Sequence, residues 1–361
     1  MRYQLARFSL ATFTASTLFG FHSPWDSFVE AEKTVPSEPQ GDINICPKEM
    51  PSFFSNPMGK KEKNVNEKPI QSCGNCGEDA YFFTNKESFI SLGVADGVGG
   101  WVNQGVDPSA LSKKVMEGAK NALNKEYVSP KEALSISFKE AEKSRDTNPG
   151  GTTACIISLD KKKGLLSAAN LGDSGFLIIR DGTVIFKSKE QQHFFNAPYQ
   201  FSIYPSNMRV TPGSILNTAD DAAVMDGELQ HGDIIILASD GLFDNMFQDE
   251  IVRYSNSILE RIYARFPDYK DTLKEMYQSQ EKIIPQMNPS ILDFVQETMH
   301  DFAKGLTEES AKLSFNMYRK SPFAVNARRI GYDFMGGKVD DITILVGYVV
   351  GEDLTLNKSR L

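Results

Sequence analysis

From residue 77 onward, apolar positions fall into blocks whose period switches between two and about 3.6, the signatures of strand and helix. The run 88–95 is apolar and β-prone and leads into Asp96-Gly97-Val98-Gly99-Gly100, a glycine-rich turn. Asp107-Pro108 sets an N-cap residue before a proline at the first helical position, and Leu111, Val115, Ala119 and Ala122 then share one face. Ser129-Pro130-Lys131-Glu132 is a capping box, predicting a helix over 131–143. Strand patterns follow over 153–160, 165–171, 176–180 and 183–186, separated by turn residues at 160–164 and 180–182. Two more strands are predicted over 232–238 and 342–350. Between them, 248–315 is mostly helical in spacing, at Ile251, Tyr254, Ile258 and Ile262 and again at Ile291, Phe294, Met299 and Phe302. Residues 266–288 break that spacing and read as an inserted loop. Strand blocks mixed with long helices predict a layered α+β domain.

Two segments precede it. Residues 26–71 are rich in Pro, Glu, Lys, Asn and Ser without a period and read as a linker or loosely docked arm, so the domain spans 72–352. Residues 1–25 carry Arg2, Arg7 and many Ser and Thr, with no acidic residue before Asp26. That is the composition of a mitochondrial presequence; a secretory signal and a tail without an address are the alternatives. The apolar stretch 8–21 is too short and too hydroxylated to predict a stable membrane span.

Composition narrows the function classes. Usage is ordinary for a globular chain, at 40% apolar and 24% charged, and 361 residues can bury a large core. A net charge of −8 argues against a nucleic-acid partner. The cysteines are Cys46, Cys73, Cys76 and Cys155. Cys73-Gly-Asn-Cys76 is a lone CxxC without a second pair, which disfavours a tetrahedral zinc site and reads as inert loop cysteines, with a redox pair as the alternative.

The chemistry lies in where carboxylates fall. Glu78-Asp79 and Asp340-Asp341 each begin a predicted strand, whereas Asp96 and Asp240 each end one and are followed at once by glycine. Gathered carboxylates repel one another, and hard divalent cations such as Mg²⁺ or Mn²⁺ relieve that repulsion through oxygen ligands. A single Asp-Gly is usually only a turn, as at Asp181-Gly182 and Asp226-Gly227. Asp96 and Asp240 differ because each follows an apolar β run.

Six ordered motifs then carry a family resemblance: Gly77-Glu78-Asp79-Ala80; 93–101 around Asp96; Gly151-Thr-Thr-Ala154; Asn170-Leu-Gly-Asp-Ser-Gly175; 238–244 around Asp240; and Lys338-Val-Asp340-Asp341-Ile-Thr343. Together they resemble the metal-dependent serine/threonine phosphatases of type 2C over 77–350. The stretches 96–101, 190–193 and 241–246 are similar to the mitochondrial, seventh-type branch. The resemblance implies a β-sandwich of two antiparallel sheets flanked by helices in four layers, with two Mn²⁺ or Mg²⁺ ions at one end. Asp96 would bridge both ions, Asp240 and Asp340 would complete one, and Glu78 with the Gly97 carbonyl would hold the other. Asp79 would orient ligands from behind, and Gly172, Asp173 and Gly175 would form a structural turn. The implied reaction is hydrolysis of phosphoserine or phosphothreonine in protein substrates by a hydroxide shared between the ions.

The sequence departs from that family at three places. Many relatives carry a proton-donating histidine where Val98 stands, and His193 is expected to be structural. The family's phosphate-binding arginine is replaced at Gly74 and Asn75, leaving Arg180, Arg328 and Arg329 as candidates. A third metal would use Asp244, but its usual partner position is Asn148, with Asp146 out of register. A catalytically idle phosphatase fold serving as a binding module, and a phosphatase of small phosphorylated metabolites, are the competing functions.

Overall fold

The computed structural model describes residues 2–13, 77–143, 149–278 and 289–352, the first segment and residue 352 by backbone alone. Linker residues 26–71, Cys73 and Cys76, the Gly74-Asn75 position, Asp146 and Asn148 lie outside the described residues, as does the part of the N-terminal segment beyond residue 13.

Ten strands build two antiparallel five-stranded sheets. In chain order they are β1 (Arg2–Phe13), β2 (Ala80–Asn85), β3 (Phe89–Ala95), β4 (Ala154–Asp160), β5 (Leu165–Leu171), β6 (Gly175–Arg180), β7 (Thr183–Lys187), β8 (Ala223–Glu228), β9 (Ile234–Ala238) and β10 (Ile342–Glu352). The first sheet runs β1-β10-β9-β6-β7 and the second β8-β5-β4-β3-β2. The helices are α1 (Pro108–Lys125), α2 (Pro130–Glu142), α3 (Asp240–Phe243), α4 (Gln248–Arg265), α5 (Pro267–Gln278), α6 (Pro289–Ser314) and α7 (Pro322–Arg329).

Alternation along the strands separates the layers, because successive side chains point to opposite faces. On β9, Ile235 and Leu237 turn inward between the sheets, while Ile234, Ile236 and Ala238 turn outward. The inner core also takes Leu92, Val94, Cys155, Ile157, Phe176 and Ile178. Outside the first sheet, Ile251, Ile258, Val295, Met299 and Phe302 of α4 and α6 cover β9 and β10. Outside the second, Leu111, Val115, Leu134 and Phe138 of α1 and α2 cover β3 to β5. The result is the expected helix–sheet–sheet–helix sandwich. Truncating a fully enclosed residue of the inner core, such as Phe176→Ala, removes about 3–5 kcal/mol.

The helix starts follow their sequence signals. Asp107 accepts a hydrogen bond from Ser109 N, and Ser129 and Glu132 form both halves of the capping box.

Two expectations are corrected. Residues 267–278, read as part of an inserted loop, form α5, which begins at Pro267 and buries Tyr269 and Leu273 on one face. Of that segment, 279–288 lies outside the described residues. Residues 2–13, placed outside the fold from composition, pair antiparallel with β10 from Arg2 opposite Glu352 to Phe13 opposite Ile342. Their backbone supplies a fifth strand where β10 would otherwise be an edge. Among the described residues, no helix is long and apolar enough to cross a membrane.

Candidate metal centre

Both sheets present their acidic turns at the same end of the sandwich. The β2–β3 pairing places Ala80 opposite Ala95, so Glu78 and Asp79, just before β2, lie beside Asp96, just after β3. Gly97 N donates to Glu78 O at 3.2 Å. A side chain at Gly97 would overlap the carbonyl oxygens of Pro108 and Glu78, which is why only glycine lets the chain turn here. The β9–β10 pairing places Ala238 opposite Ile344, bringing Asp240 against the approach to β10 that carries Asp340 and Asp341.

Hydrogen bonds lock the turns. Asp96 O accepts from Thr153 N and Thr152 Oγ1, each at 2.9 Å, and Asp96 N donates to Thr153 Oγ1 at 3.1 Å. Thr153 Oγ1 in turn meets Ser174 Oγ at 2.8 Å, tying the Gly-Thr-Thr-Ala motif to the turn that carries Asp173. Gly172 holds φ +109 in that turn, a conformation open to glycine.

Two bonds staple the sheets together at this end. Ser239 Oγ donates to Asp79 Oδ2 at 2.8 Å, and Glu78 N donates to Asp341 Oδ2 at 2.6 Å. The second bond distinguishes the two neighbouring aspartates. Asp341 is buried and engaged with the Glu78 backbone, whereas Asp340 is half-buried and reaches Lys338 Nζ at 3.0 Å.

One oxygen from each of Asp96, Asp173 and Asp240 lies within 4.8 Å of the other two. Asp173, expected to be structural, is thus brought to the cluster. The signal that marks Asp96 and Asp240, a carboxylate just past an apolar strand, also marks Asp173 after β5 and could have found it. Lys338 is the other group that sequence reasoning passed over, and nothing local sets it apart.

The electrostatics are those of a site short of positive charge. Burial first, then Asp341, Asp340, Asp107 and Asp240, pushes Glu78 up to about 8. Burial, with Asp240, Asp79 and other carboxylates, holds Asp96 well above the usual carboxylate range. Burial and Asp341 do the same for Asp79. Burial raises Asp244 to about 7, with Lys338 opposing and Asp240 adding to the rise.

The donor set fits a hard divalent cation. It offers oxygen donors, and Asp173 Oδ1 and Asp240 Oδ1 are enclosed without a hydrogen-bond partner. Enclosed carboxylate oxygens without donors are costly unless a cation sits against them.

The remaining expected residues fall elsewhere. Arg180, at the far end of β6 from Asp173, forms a paired contact with Asp233 at 2.7 and 2.8 Å. Arg329 bonds Asn326 at 3.2 Å within α7, and Arg328 faces Asp333 at 3.8 Å. His193 bonds Asn217 Oδ1 at 2.9 Å and stacks on Tyr199, the structural role expected of it.

Comparison with known proteins bears on this geometry. The family model for Protein phosphatase 2C matches residues 60–197. The proteins named Protein phosphatase PTC7 homolog from Danio rerio and Homo sapiens are each 37% identical to the chain. The matches span 78% and 76% of this chain and 84% and 79% of theirs. The 5-azacytidine resistance protein azr1 of Schizosaccharomyces pombe is 33% identical over 81% of this chain and 88% of its own length. Among solved structures, the photosystem II phosphatase PBCP is 30% identical and covers 75% of this chain and 91% of its own, with a TM-score of 0.56.

Proposed function

The chain belongs to the protein phosphatase 2C family, and we propose that within it this protein hydrolyses phosphoserine and phosphothreonine in protein substrates using two Mn²⁺ or Mg²⁺ ions. The observation that carries the reading is the convergence of carboxylates from both sheets on one end of the sandwich, with enclosed oxygens that lack a donor. Asp96, Asp240, Asp340, Glu78 and the Gly97 carbonyl would hold the ions. Divalent ions at such a site neutralise the phosphoryl oxygens and lower the pKa of water.

The chain's own residues position and orient. Thr152 and Thr153 fix the Asp96 turn, and Ser239 holds one oxygen of Asp79 while the other is enclosed without a hydrogen-bond partner. Asp173, with an enclosed oxygen beside Asp96 and Asp240, joins the oxygen wall of the site. Val98 offers no proton, so in this reading the leaving oxygen takes its proton from water. The pairing of Arg180 with Asp233 leaves the phosphate to be held by cations rather than by that guanidinium. A mitochondrial destination is part of the reading and rests on the composition of residues 1–25.

The test is hydrolysis of a phosphothreonine peptide with Mn²⁺ and with chelator. Activity should appear with the metal and vanish on chelation. Asp240→Asn should lower kcat/KM by more than about 100-fold, beyond the loss typical of residues behind the ligands. A fully active Asp240→Asn protein would sink the assignment.

A further inference from the structure

Lys338 is the basic group that the described residues bring into the acidic cluster, and its surroundings are built for it. Its backbone is clamped by the buried Asn245, whose Oδ1 accepts from Lys338 N at 2.9 Å and whose Nδ2 donates to Lys338 O at 2.8 Å. Asn245 Nδ2 also donates to Gly241 O at 3.0 Å, so the clamp is tied to the turn that carries Asp240. From this anchor the side chain runs past the Phe323 ring, with Nζ 5.4 Å from its centroid. The ammonium ends 2.5 Å from Asp240 Oδ2, 2.8 Å from Asp244 Oδ2 and 3.0 Å from Asp340 Oδ2. An ammonium has three N–H donors, and three carboxylates meet them.

We propose that Lys338 is a resident cation that keeps Asp244 on its own ammonium, so that the centre accepts two divalent ions and no third. The proposal rests on the two-ion reading of the site. While one oxygen of each stays with Lys338, Asp240 Oδ1 is enclosed without a hydrogen-bond partner and Asp340 Oδ1 accepts from Asp341 N at 2.9 Å with a lone pair left for a metal. Asp244 caps the end of α3, outside the group formed by Asp96, Asp173 and Asp240, and its Oδ2 meets the ammonium. A third divalent ion at Asp244 would have to share space with a fixed positive charge, which costs far more in a buried site than in water. A lysine tethered by its own backbone also keeps these carboxylates compensated before any metal arrives. Lys338 is thus a positioning residue for the metal-binding carboxylates.

The experiment is Mn²⁺ titration calorimetry of the full chain as wild type, Lys338→Met, Asp244→Asn and the double variant. Wild type and Asp244→Asn should bind two ions with affinities within roughly threefold of each other, because Asp244 is occupied by Lys338. Lys338→Met should take up an additional weaker ion that the double variant does not bind. A wild-type ion lost in Asp244→Asn, or a Lys338→Met protein with wild-type stoichiometry, overturns the proposal. If Lys338→Met does not fold, the Asp244→Asn titration alone decides.

Thermal melts in chelator separate this from the functional reading. There Lys338→Met should melt roughly 10 °C below wild type, and adding Asp244→Asn should recover part of the loss by removing an uncompensated carboxylate. A wild type that binds no Mn²⁺ would overturn the two-ion reading. The count of ions would fall with it, and the melts would decide the remaining claim that Lys338 compensates these carboxylates, which fails if Lys338→Met melts with wild type.

Discussion

Glu78 is pushed in one direction by everything around it. Burial comes first, followed by Asp341, Asp340, Asp107 and Asp240, and its carboxyl sits at about 8 instead of 4.5. At pH 7 the metal-free protein therefore holds Glu78 largely protonated. The linkage runs accordingly. The folded chain binds more protons than the unfolded chain between pH 4.5 and 8, so the metal-free fold loses stability as pH rises through that window. In the proposed two-ion site a divalent ion would reverse this by binding the deprotonated form and expelling the proton. Mn²⁺ titrations at pH 7 in buffers of different ionisation enthalpy should thus show proton release. Glu78→Gln should lower that release by about one proton. Equal release from both proteins would remove Glu78 from the site.

At the scale of elements, polar groups add to the buried face through which α5 packs on the outer core. Tyr269 and Tyr277 reach the turn before β9, where Tyr277 OH donates to His231 O at 3.0 Å. His231 Nδ1 accepts from Gly351 N at 3.0 Å, so Nε2 carries the proton that it donates to Tyr269 OH at 2.7 Å. Tyr269 OH and Tyr348 OH are also 2.7 Å apart, which links α5 to β10. Burial lowers His231 from 6.5 to about 4. Because the unfolded chain protonates first as pH falls from 6.5 toward 4, stability is lost across that interval. Glutamine can keep the acceptor for Gly351 without titrating. His231→Gln should therefore lose about 2–3 kcal/mol less than wild type between pH 7 and pH 4.5 in urea unfolding. Parallel losses in the two proteins would remove His231 as the acid-sensitive group. The same chemistry explains why 267–278 reads as loop in sequence. Tyrosines at 269 and 277 declare a buried face only once their hydroxyls have partners, and those partners come from distant strands.

For the whole molecule, the N-terminal segment has two claims on it. Its composition predicts that residues 1–25 fused to a fluorescent protein enter mitochondria; a diffuse or secretory signal would contradict that address. Its backbone pairing with β10 predicts that deleting residues 2–13 lowers the melting temperature by roughly 5 °C or more, since β10 becomes an open edge. An unchanged melt would show the strand to be dispensable. Both claims hold together only if the segment is retained after delivery. Much of the sandwich was legible beforehand, because two-residue alternation and helix caps are local signals. Sequence alone determined the strand blocks, the capped starts of α1 and α2, and the placing of Glu78, Asp96, Asp240 and Asp340 at strand ends. Tertiary structure decided what those residues meet. The bond from Glu78 N ties one oxygen of Asp341 to the backbone before β2, while Asp340 reaches Lys338. The turn between β5 and β6 adds Asp173. Lys338 finds Asp240 and Asp244 across 98 and 94 residues of chain. The physical reason is that a strand end fixes where a carboxylate begins, while its charge state and partner depend on side chains delivered by the opposite sheet.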